Sequence, residues 1–96
     1  MQQVLQFEPD WRVRYESAAQ DWFEKQPPGA RFIGEQLRIA VKATGIENPH
    51  HPNCWGASAG AALRGWARAG CLQVCGYRNS GVKENHAHVY REYVKL

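Results

Sequence analysis

Seven side chains in this 96-residue sequence could ligate a metal ion or take part in nucleophilic chemistry: His50, His51, Cys54, Cys71, Cys75, His86 and His88. A structural zinc ion needs about four such ligands, and the sequence sign that carries weight is a pair of cysteines separated by two residues. Here His50 and Cys54 could share a helix-leading turn, and Cys71 and Cys75 would face one side of a strand, so neither spacing is a zinc spacing. Structural histidines and core thiols are the reading that fits. Cys54 with His51 would make a nucleophile and base, but no carboxylate lies nearby in sequence to orient the imidazole. A glycine-rich phosphate loop and a paired-carboxylate motif are both absent, and so small a core leaves little room for a substrate pocket. No enzymatic activity, no metal and no cofactor are expected.

Contact with a polyanion is the chemistry that the spacing does support. Residues 53–70, NCWGASAGAALRGWARAG, read as a helix that Asn53 caps through its side-chain oxygen and Gly70 ends in a left-handed conformation. Trp55, Ala59, Ala62, Leu63 and Trp66 recur at helical spacing and form an apolar stripe. The same wheel sets Asn53, Ala57, Ala61, Arg64 and Arg68 on the opposite face, which has two arginines and no acid. Gly56, Gly60 and Gly65 each cost about 1 kcal/mol relative to alanine, so they imply a close approach. The expected one is a neighbouring helix crossing Gly56 and Gly60; the other reading is a DNA backbone or a partner protein against that surface.

Composition bounds the remaining possibilities. Hydrophobic residues at 44% and charged residues at 22% describe one globular domain rather than a disordered chain. There is no apolar run of membrane-spanning length, and MQQVLQFEPD lacks a basic-then-apolar leader pattern, so a cytoplasmic location and no membrane partner are expected. Three cysteines without an export signal are expected to be buried thiols. The net charge of +3 is unevenly spread: residues 1–48 carry −1, whereas residues 49–96 carry +4 and all four histidines. A phosphate-facing surface would leave such a footprint.

The elements that must position these residues follow from the pattern. Residues 1–9 read as an N-terminal arm or an edge strand. A first helix starts at Asp10 as its cap, with Trp11, Tyr15, Ala18, Ala19 and Trp22 at helical spacing, and stops before Pro27 and Pro28. Residues 31–33 read as a short strand. A second helix over 34–43 carries Ile33, Leu37, Ala40 and Val41 on one side and Glu35, Arg38 and Lys42 on the other, and Thr44 and Gly45 close it. The turn IENPHHP leads to residue 53. Beyond Gly70 the period changes: residues 71–78 and 86–96 read as two strands around the turn signal Asn79-Ser80-Gly81, and their loop carries Arg78, Asn79 and Lys83.

Helix, short strand, helix, turn, helix and hairpin, with the phrase ALRGWARAGCLQ leading from the third helix into the hairpin, resembles the winged helix-turn-helix superfamily over residues 10–96. The phrase NPHHPNCWG and the small size also resemble small phage and prophage proteins. The resemblance implies an α+β domain of three helices and a β-hairpin wing that binds double-stranded DNA, as a small transcriptional regulator or a replication or recombination accessory. The third helix would lie in the major groove and the wing, residues 77–86, along the backbone. On this chain it would bring Asn53, Ala57, Ser58 and Ala61 to base edges, where Asn can pair with adenine and Ala can touch a thymine methyl. Arg64, Arg68, Arg78 and Lys83 would be phosphate contacts. The front half of the reading helix has no Arg, Lys or Gln, so a single domain should bind weakly and with strong salt dependence, and a homodimer would offset part of that deficit. The alternative reading is a winged-helix protein-interaction module, such as a phage-encoded inhibitor of a host or defence complex, with the Gly/Ala face packed on its protein partner.

Overall fold

Three helices precede a hairpin: α1 Gln3–Lys25, β1 Arg31–Phe32, α2 Gly34–Lys42, α3 Asn53–Arg68, β2 Leu72–Asn79 and, after a 3-10 turn at Lys83–Asn85, β3 Val89–Lys95. The structure, a computed structural model, describes residues 3–85 and 87–96; Met1, Gln2 and His86 lie outside the described residues. β3 is the middle strand of an antiparallel sheet ordered β1-β3-β2, pairing Phe32 with Tyr93 on one side and Leu72 with Lys95 on the other. This is the layout of a winged helix-turn-helix domain, with the described residues between β2 and β3 as the tip of the wing.

The core lies where the three helices meet the base of the sheet. Tyr15, Phe32, Ile33, Leu37 and Val41 are sealed from solvent, and Trp11, Ala19, Phe23, Trp55, Leu63 and Leu72 are buried around them. Aromatic contacts bind α1 to α3 at both ends: Trp11 meets Trp55 edge to face at 5.2 Å, and Phe23 stacks on Trp66 at 4.1 Å. The strand that ends the chain is tied to the C-terminus of α1. Lys95 Nζ donates to the carbonyls of Phe23 and Gln26, each at 2.7 Å, where a cation meets the negative end of the helix.

Tyr15 makes this core sensitive to alkali. Its hydroxyl is buried and has no hydrogen-bond partner among the described residues. Burial pushes the phenol pKa up to about 12, against a weaker opposite pull from Arg38. An unfolded chain loses this proton near pH 10. From there to about pH 12 the folded state holds the proton that the unfolded state has lost, so stability is whole below pH 10 and falls by roughly 2 kcal/mol as pH rises through the window. Urea unfolding at pH 9 and pH 11.5 measures this. In Tyr15→Phe this contribution to the alkaline loss should disappear, and removing the unpartnered hydroxyl should raise stability at neutral pH by about 1 kcal/mol.

Several expectations are corrected by tertiary contacts. The helix expected to begin at Asp10 is already running at Gln3, so the described part of the 1–9 arm is helical and Asp10 is not a cap. Leu, Gln and Glu are good helix formers, and they continue the helix although a proline at position 9 removes one backbone bond and crowds the carbonyl of the preceding turn, at a cost of about 3 kcal/mol. Glu35, expected on the outer side of α2, is buried. Cys71 and Cys75 are exposed, and Cys54 is half-buried where it packs against the core, so no thiol is fully buried. Cys71 sits just past the end of α3, and Cys75 occupies a bulge between Val74 and Gly76 that bends the wing.

Candidate nucleic-acid interface

α3 is clamped by its apolar stripe. Trp55, Ala59 and Leu63 are buried, and Ala62 and Trp66 pack half-buried against them, which turns the other side of the helix to solvent. Its C-terminus closes as the sequence implies: Gly70 has φ +79°, Cys71 N–H donates to Trp66 O at 2.9 Å and Gly70 N–H to Ala67 O at 3.1 Å. Its N-terminus closes differently. Pro52 already has helical angles (φ −57°, ψ −30°), so Asn53 lies inside the first turn and its N–H donates to His51 Nδ1 at 3.1 Å. His51 therefore does the capping that Asn53 was expected to do, with Pro52 at the first helical position that suits it. His51→Ala should lower stability by about 0.5–1 kcal/mol, read as a fall in the thermal unfolding midpoint, because that first-turn N–H loses its protein partner.

The outer face that results is exposed at Asn53, Ala57, Ala61, Arg64 and Arg68. Ser58 is the correction: it is buried at 5% exposure beside Trp55 and Ala59, so its hydroxyl is withheld from any base edge. The glycines are also read differently. A Cβ on Gly56 would meet nothing within 4 Å among the described residues, and one on Gly60 would meet only the Arg64 guanidinium at 3.2 Å, so no helix crosses there. The tight crossing in this fold uses Gly34 at the start of α2, where a Cβ would come within 3.2 Å of Leu63 Cδ1.

The wing is docked on α2 by residues that sequence reasoning passed over. The carboxylate of Glu35 accepts hydrogen bonds from Ser80 Oγ at 2.6 and 2.7 Å and from Gly81 N–H at 3.1 Å. Gln36 Oε1 accepts from Ile33 N–H at the helix start and from Arg78 Nη2 at 2.9 Å, linking the cap of α2 to the wing. Arg78 Nε also lies 2.9 Å from Glu92 Oε2 on the adjacent strand. Arg78 is thus half-buried and engaged, and a phosphate there would compete with Glu92. Asn79 is exposed at the end of β2, and Lys83 is exposed on the 3-10 turn. Glu35 and Ser80 carried no local signal, because they are each other's partners 45 residues apart, and the Gln36 bond to Arg78 spans 42 residues although its cap bond to Ile33 is local.

The connection before α3 is held as well. Arg14 pairs with Glu47 and Trp11 Nε1 donates to Glu47 O at 2.8 Å, and the Arg14 hydrogen bond holds the Glu47 carboxyl below its usual range. Cys54 Sγ lies 4.0 Å from His50 Nδ1, too far for a strong contact. Among the described residues no group of three or more His, Cys, Asp or Glu side chains could hold a metal ion, and no helix is long and apolar enough to cross a membrane. From residue 48 to residue 83 the sequence has no Asp or Glu, and this stretch includes all of α3, β2 and the first half of the wing tip. Comparison with protein-family models, curated proteins and solved structures gave no match.

Proposed function

We propose that this protein binds double-stranded DNA, with α3 in the major groove and the wing beside the backbone, as a small regulator or a replication or recombination accessory. The observation that carries this reading is the exposed, acid-free outer face of α3, on which Arg64 and Arg68 stand one turn apart. Lys83 on the wing tip and Arg91 on β3 add exposed cations, and Arg91 lines a groove together with Gly56 and Gly60 of α3. Asn53 is the side chain at the front of that face able to pair with an adenine edge in a bidentate way, while Arg64 and Arg68, further along the helix, are assigned to phosphates. Affinity therefore comes mostly from phosphate contacts, and specificity is modest unless two copies act together.

A fluorescence titration of a labelled duplex at 50 and 200 mM salt tests this. With four phosphate contacts, affinity should fall roughly 100-fold between the two conditions. No binding at 50 mM would remove the reading. A protein-interaction role is the second reading, and one observation favours it: Tyr77 (70% exposed) and Val89 (61%) are diagonal neighbours on one face of the wing, an apolar pair with no use in phosphate contact. Tyr77→Ser with Val89→Ser should leave the duplex titration unchanged if DNA is the partner.

A further inference from the structure

A groove of about 280 Å3 opens between the start of α2, the flank of α3 and the stem of the wing. Its α3 side includes Gly56 and Gly60, and the space above Gly56 is real, since a Cβ there would touch nothing described. A surface without side chains is flat. Tyr93 contributes its ring from β3, held by stacking on Phe32 at 6.4 Å, whereas the Tyr90 ring belongs to the other face of the strand and stacks on His88. Arg38 and Arg91 also line the groove, and the Arg64 guanidinium lies over Gly60 at its rim. Glu35 is the acid in the lining, but its oxygens are turned to Ser80 and Gly81. The groove therefore combines a flat apolar floor, an aromatic wall and an excess of guanidinium, at the small end of the size range for ligand pockets.

We infer that this groove binds a planar aromatic anion of bicyclic size, with its ring face on the bare Gly56 surface beside the Arg64 guanidinium and its anionic group toward Arg38 and Arg91. The ring would find apolar contact on the Gly56 side and aromatic contact from Tyr93, and the anion would find the donors that suit a carboxylate. The inference does not depend on DNA binding.

The test is titration of 2-naphthoate into the isotopically labelled full chain, followed by amide chemical shifts. Saturable one-to-one binding is expected, with the largest shifts at Gly56, Gly60 and Arg91. The uncharged analogue 2-naphthylmethanol should bind about tenfold more weakly, the loss of one charge-assisted contact. Arg91→Gln should weaken 2-naphthoate about fivefold and leave 2-naphthylmethanol unchanged. Gly56→Leu projects its side chain into the groove and improves helix propensity, so it should keep or raise the thermal midpoint while abolishing binding. Unsaturable shifts at millimolar ligand, shifts spread over the whole chain, equal binding of the uncharged analogue, or wild-type binding by Gly56→Leu would each overturn the assignment.

Discussion

Replacing Arg64 and Arg68 together by alanine should weaken duplex binding by about 10- to 100-fold at 50 mM salt and reduce the slope of log affinity against log salt by close to two. Both arginines are exposed on the outer face of α3, so their removal leaves the core intact and the thermal midpoint nearly unchanged. Arg78→Ala makes the informative contrast. Its guanidinium is engaged by Glu92 and Gln36, so removing it should leave the salt slope nearly unchanged, and any loss of affinity should come from loosening the wing rather than from a lost phosphate contact. A double variant with an unchanged salt slope would mean that the cations of α3 are not phosphate contacts, and the apolar surface of Tyr77 and Val89 would become the better guide to the partner.

The outer face of α3 was legible because it follows from one periodicity. Once Trp55, Ala59 and Leu63 are assigned to the core, helical geometry leaves Asn53, Ala57, Ala61, Arg64 and Arg68 outside. Ser58 was misread at the border of that stripe, where a small hydroxyl can face either way and only the packing of Trp55 and Ala59 decides. The left-handed Gly70 was legible for a similar local reason, since few other residues end a helix in that conformation. The cap was not. Asn53 is a better capping residue by type than His51, and the outcome turned on Pro52 adopting helical angles one residue earlier. Gly56 and Gly60 were read as a crossing point, yet the crossing uses Gly34, because sequence tells that a backbone is bare and not what approaches it.

Glu35→Ala should destabilise the fold by about 2–4 kcal/mol and release the wing from α2. The carboxylate is buried, and it accepts from Ser80 Oγ and Gly81 N–H across a separation of 45 or more residues. Truncation leaves the buried Ser80 hydroxyl without its carboxylate acceptor and the part-buried Gly81 N–H without its partner, and an unsatisfied buried donor costs more than the bond it once made was worth. Urea unfolding gives the global loss, and amide exchange at Gly81 and Val82 should speed up beyond it, since the Val82 N–H depends on Ser80 Oγ at 3.0 Å. Glu35→Gln keeps the shape and one acceptor, so about half the loss should remain. The cycle with Ser80→Ala separates a bond from a mere cavity. If the pair carries the docking, Glu35→Ala should cost clearly less in a Ser80→Ala background than in the native chain, and additive costs would show that Glu35 acts on α2 alone. The outcome bears on function as well. Arg91 lines one groove with Gly56 and Gly60 of α3, and that placement depends on the docked wing, so a Glu35→Ala protein that remains folded should bind duplex DNA more weakly although no cation has been removed.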